Sequence, residues 1–240
     1  MAERSMTPTI PAAASTAPHA QHPALAHHFD DLEQQRETAE LGMWVFLVTE
    51  FMFFGGLFLA YLTYRGWYPQ EFAAGSQTMD VMLGTINTAV LLTSSLTMAL
   101  AVHAAQHAQR TRLILLLLAT VVLGVAFLGI KAYEYHHKYE DHLIPFLGLP
   151  FKYSGPEAAG MQTFFNLYFL MTGMHAFHML IGIGVLLALV VLAWRGGLLA
   201  ERSVTVYNFG LYWHFVDLVW VYLFPFFYLL SARGGSVVDH

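Results

Sequence analysis

Five stretches of this chain, at approximately 41–64, 80–103, 111–134, 161–194 and 205–231, are each long and apolar enough to cross a bilayer. A helical span needs about 20 apolar residues, because backbone N–H and C=O groups in hydrocarbon must be paired within the segment. Runs of this kind direct the chain to an all-α fold, a polytopic membrane bundle of five transmembrane helices. The composition agrees, at 57% hydrophobic and 11% charged with a mean hydropathy of +0.52, against about 25% charged residues in a soluble domain. The fourth run exceeds the bilayer thickness and is expected to tilt or protrude.

Outside the spans, residues 1–40 read as a disordered tail rich in Ala, Pro and His, with His19, His22, His27 and His28 spaced irregularly. That tail has no apolar core of the signal-peptide kind. Its charged end, Asp30 to Glu40, reads as a short helix. Residues 41–231 form the membrane domain and 232–240 a short C-terminal tail. The Lys and Arg placement sets the orientation. With the N-terminus inside, Arg4, Arg36, Arg110, Arg112, Arg195 and Arg202 lie inside, and Arg65, Lys138, Lys152 and Arg233 lie outside. The short loops carry most of this bias, so the N-terminus is expected inside and the C-terminus outside.

Several functions are excluded directly. A net charge of −5 with 11 Lys+Arg gives nothing to neutralise a nucleic-acid backbone. The chain has no Cys, which removes disulfides, iron–sulfur clusters and thiolate-ligated haem or copper. Neither a phosphate-binding Gly-rich loop nor a helical HExxH is present.

Ionisable residues within the spans are the functional candidates, since each costs about 2.5–3.5 kcal/mol on insertion scales. Glu50 lies in the first span, His175 and His178 in the fourth, and His214 and Asp217 in the fifth. Under the expected topology all of them fall near mid-bilayer. His214 and Asp217 share a helix face, as do His175 and His178. The His214 imidazole is expected to donate to Asp217, and the four residues to form one intramembrane polar cluster. That cluster either ties helices four and five together, holds a metal or haem, or conducts protons. Glu50 has apolar and aromatic neighbours on all sides. It is read either as a carboxyl bonded to a Thr, Ser or Asn of span two, such as Asn87, Thr88 or Ser95, or as a proton-exchanging group. Lys131 and Glu134 are expected to form a helix-end ion pair, with Lys131 snorkelling to the surface. His136 and His137 are adjacent on the helix and point apart, so they do not jointly chelate one ion. Pro225 is expected to kink span five. Gly173, Ala176, Gly182 and Gly184 offer close packing in span four.

Five segments carry a resemblance to a known family. They are Gly42 to Gly55 around Glu50, Leu83 to Ser95, Lys131-Ala132-Tyr133-Glu134-Tyr135, Thr172 to Gly182 with both histidines, and Tyr212-Trp213-His214-Phe215-Val216-Asp217-Leu218-Val219-Trp220. In this order they resemble the subunit III family of haem–copper oxidases. Glu50 matches that family's buried, carbodiimide-reactive Glu. Longer members have seven helices, and this chain looks like the five-helix form found in bacterial cytochrome c oxidases, quinol oxidases and a nitric-oxide-reductase-associated group. The resemblance implies an accessory subunit of the bacterial cytoplasmic membrane with no catalytic residue, no metal ligand and no redox cofactor of its own. A structural phospholipid is the one bound group it brings into view. It implies as partners a catalytic subunit I carrying haem and copper, an electron-entry subunit II, and membrane lipids. The role implied is support of proton uptake and protection of the catalytic subunit during oxygen reduction. Two further readings compete: a membrane haem b carrier using His214 with His175 or His178, and a proton-coupled transporter using Glu50.

Overall fold

The computed structural model describes residues 32–145, 151–155, 157–196 and 203–229. The expected tail up to residue 31 and the C-terminal tail from residue 230 lie outside the described residues. The described chain is helical, in the order α1 (Leu32–Trp67), α2 (Pro69–Gln77), α3 (Val81–Gln106), α4 (Arg110–Glu140), α5 (Ala158–Trp194) and α6 (Ser203–Phe224). A π-helical turn, Pro225–Leu229, completes it. Five of these helices are long and apolar enough to span a membrane, as expected from the sequence.

The ends differ from expectation. No Gly or Pro interrupts residues 32–41, so the charged segment joins α1 instead of forming a separate piece. There Arg36 Nε pairs with Glu40 Oε1 at 3.3 Å, one turn along. α4 runs to Glu140, well past the expected boundary at residue 134. The connection after α1 contains a helix not foreseen, α2, opened by Pro69 at a position where the missing N–H costs nothing. Phe72 is buried on it, and Gly75 lies so close to the Phe164 ring that a Cβ there would clash. α3 starts cleanly because the Asp80 carboxylate accepts from the N–H groups of Met82 (2.9 Å) and Leu83 (3.0 Å).

α6 is the central helix and α1 the peripheral one: half of the most apolar window of α6 is buried, against 17% for α1. α6 packs on α3, α5 and α1, while α4 bridges α3 and α5. Trp213 fills the middle of the bundle. Its ring lies against Gly182 of α5 and Gly124 of α4, at distances where a Cβ would stand 2.9 Å and 3.1 Å away. Arg110, at the start of α4, ties off the end of α5 by donating from Nε to the Ala193 carbonyl (3.0 Å) and from Nη2 to that of Trp194. Instead of a simple kink, Pro225 opens the wider π-helical turn. Two of its carbonyls find partners elsewhere. Phe226 O accepts from Tyr61 of α1 and Phe227 O from Ser76 of α2, both at 2.6 Å.

Candidate functional site

Glu50 is positioned by α1 and meets α5. Its Oε2 lies 3.0 Å from His178 Nε2, with side-chain exposures of 18% and 11%. Its partner is therefore not a hydroxyl or amide of α3, as the sequence suggested, because α1 docks on α5 and α6 and not on α3. His178 Nδ1 lies 2.8 Å from the Met174 carbonyl. A carbonyl only accepts, so Nδ1 carries hydrogen and donates. The Nε2–Oε2 contact then holds one proton, on the imidazole of an ion pair or on the carboxyl of a neutral pair. Phe54 packs edge-on against the imidazole at 5.3 Å. The Tyr212 hydroxyl donates to the His178 carbonyl at 2.9 Å, fixing α6 at the same level. This pair sits in the wall of an open groove of about 750 Å³ between α1, α5 and α6, with Met43, Phe46, Phe209 and Tyr212 among its apolar and aromatic sides.

A second polar site lies toward the far end of α4. Lys131 Nζ donates to Glu134 Oε2 (3.0 Å), Tyr168 OH (3.1 Å) and Tyr228 OH (3.0 Å). Glu134 Oε1 accepts from the same two hydroxyls, at 2.7 Å and 2.5 Å. The ammonium thus spends all three donors, and each tyrosine both accepts and donates. The rings of Tyr135, Tyr168, Trp220 and Tyr228 surround Nζ at 5.0–5.7 Å from their centroids. Both side chains of the ion pair are only 4% exposed. The expected pair is present, but Lys131 does not snorkel: α4 continues for nine more residues, and a complete inward set of acceptors holds the ammonium inside. Lys138, two turns further on, is also buried and donates to the Thr78 carbonyl.

The expected four-residue cluster is not assembled. His178 faces α1. His175, on the same helix, is wedged between Phe127 and Trp220 at 5.4 Å from each ring, with neither ring nitrogen hydrogen-bonded. His214 Nδ1 pairs with Ser95 Oγ of α3 at 2.7 Å. Among the described residues no hydrogen bond joins His214 to Asp217, which is buried one turn further along α6. Ser95 thus stands at His214 where Asp217 was expected, and two further α3 hydroxyls hold α6 by its indoles: Ser94 accepts from Trp213 Nε1 (2.9 Å) and Thr88 from Trp220 Nε1 (3.1 Å).

Against known proteins, the sequence profile of cytochrome c oxidase subunit III matches residues 26–140 and 151–232. The chain belongs to the cytochrome c oxidase subunit III family. It is 32% identical over 197 residues to cytochrome c oxidase subunit 3 of Alkalihalophilus pseudofirmus, covering 81% of this chain and 87% of that protein. It is 28% identical to a probable quinol oxidase subunit 3 of Staphylococcus epidermidis, covering 86% of this chain and 96% of the relative. A probable quinol oxidase subunit 3 of Staphylococcus haemolyticus is 26% identical, over 84% and 94% of the two chains. Relatives named for either electron donor thus align along nearly their whole length with this subunit III bundle.

Sequence reasoning missed Tyr168 and Tyr228 as site residues of this family member, and it offered Ser95 to Glu50 where the structure gives it to His214. Tyr168, Thr172 and His175 recur at helical spacing on α5, so a polar stripe was there to be found. Tyr228 follows Pro225, where a regular helical repeat no longer predicts which way a side chain faces.

Proposed function

We propose that this chain is the accessory third subunit of a respiratory haem–copper oxidase in a bacterial cytoplasmic membrane, with its N-terminus inside and its C-terminus outside. It binds no redox cofactor and packs beside a catalytic subunit I and an electron-entry subunit II. The observation that carries this reading is the subunit III match across all five membrane helices. Within the chain, Glu50 with His178 is the proton-active element. One proton shared between a carboxyl and an imidazole, in the wall of a groove open to the surroundings, is suited to passing protons toward a partner's uptake route. Lys131, Glu134, His175, His214 and Asp217 serve the architecture. The haem-carrier alternative is disfavoured by what surrounds the fourth-span histidines it needs: both nitrogens of His178 are engaged, and His175 is wedged between the Phe127 and Trp220 rings.

The test is a mild-detergent pull-down of the chain, read by mass spectrometry and a visible spectrum. A large haem–copper subunit should co-purify, and its companion subunit then names the electron donor. A chain recovered alone and colourless would favour the transporter reading. One recovered alone with a bis-histidine haem spectrum would replace the proposal with the haem carrier.

A further inference from the structure

We propose that His103 and His107, at the end of α3, form a two-histidine site for a nitrogen-preferring divalent metal, Zn²⁺ or Cu²⁺. The residues are four apart, so their rings leave one face of the helix. The ring centroids are 4.2 Å apart with a 42° tilt, and both residues are exposed. His107 Nδ1 lies 2.9 Å from the His103 carbonyl. That carbonyl requires hydrogen on Nδ1 and leaves the Nε2 lone pair for a metal. The same second bond, from the far nitrogen to a carbonyl, orients most metal-bound imidazoles. Metal–nitrogen bonds of about 2.0–2.1 Å place two ligand nitrogens roughly 3 Å apart, and two ring centroids 4.2 Å apart on one helix face are close enough to share an ion.

The setting favours a cation. The last carbonyls of α3 concentrate partial negative charge at this end of the helix. The nearby guanidinium groups are engaged elsewhere, Arg110 on the end of α5 and Arg112 on Gln109 Oε1 at 3.0 Å. No third His, Asp or Glu joins the pair among the described residues, so water completes the coordination. A bound ion would clip the last turn of α3 to its cap residue, just before Ala108 takes up its left-handed conformation (φ 54°).

The experiment uses the full chain in detergent, with His19, His22, His27 and His28 replaced by Ala. Cu²⁺ is titrated in and spin-echo EPR counts the imidazoles on the first equivalent. Two are expected. His103→Gln and His107→Gln should each leave one and weaken binding about a hundredfold, since the second ligand acts at high effective concentration. His136→Gln should change neither reading. Both target residues are exposed, and an unchanged elution profile and helical content establish that the variants fold. A first equivalent bound through one imidazole, or two-imidazole coordination that survives His103→Gln, would overturn the site.

Discussion

One proton between Glu50 and His178 can sit on either residue, and substitutions at Glu50 separate its two roles. Glu50→Gln keeps a hydrogen-bond donor facing Nε2 but removes the shared proton. The variant should assemble normally, and proton-linked turnover should fall modestly; loss of assembly would make Glu50 structural. Glu50→Ala leaves Nε2 without a partner and should destabilise the bundle by about 1–3 kcal/mol, measurable as a lower midpoint of detergent unfolding. The Lys131 site should respond more sharply. Lys131→Met strands a buried carboxylate and should cost about 3–5 kcal/mol. Pairing it with Glu134→Gln should recover much of that loss, whereas additive losses would show that the two charges act independently. Local pairs were legible at this scale: Lys131 and Glu134 are three apart on one helix, so spacing alone brings them together. Glu50 and His178 are 128 positions apart, and the rotation of α1 against α5 that joins them is a packing outcome that periodicity does not encode.

Helix packing turns on small residues, but not on all of them. Gly182 touches the Trp213 ring, whereas Gly184, two residues on, has nothing within 4 Å of where its Cβ would be. Gly182→Ala should overpack the α5–α6 contact and cost about 1–3 kcal/mol. Gly184→Ala should be neutral or stabilise by up to about 1 kcal/mol, because it removes backbone freedom from a helix interior. Thermal midpoints of the two variants should move in different directions; equal losses would argue against Trp213 as the reason for Gly182. The sequence named both glycines without separating them, because which face meets the tryptophan depends on how α5 is rotated. The existence of the five long helices was legible from length and apolarity. Their ends were not, since α1 and α4 continue through polar residues that simply lack a breaker. α2 escaped notice because its anchors, Phe72 and Gly75, both pack on Phe164, a residue of α5 remote in sequence.

The whole bundle has an inside and an outside that labelling can assign. With no native Cys, single cysteines can be introduced at exposed loop positions without background. A Cys at Gln109 should react with an impermeant maleimide only in inside-out vesicles, and one at Ser154 only in intact cells. The opposite pattern would reverse the proposed orientation. The pairing of the π-helical turn with α1 and α2 also bears on how such a chain is made. Tyr61 reaches Phe226 across 165 positions and Ser76 reaches Phe227 across 151. During synthesis the first helix therefore waits in the bilayer for the last one to leave the ribosome, and Lys131 and Glu134 wait for Tyr228 across 97 and 94 positions. A nascent chain stopped before this turn would leave the Lys131–Glu134 pair without the Tyr228 hydroxyl that both of them bond, a buried pair one partner short.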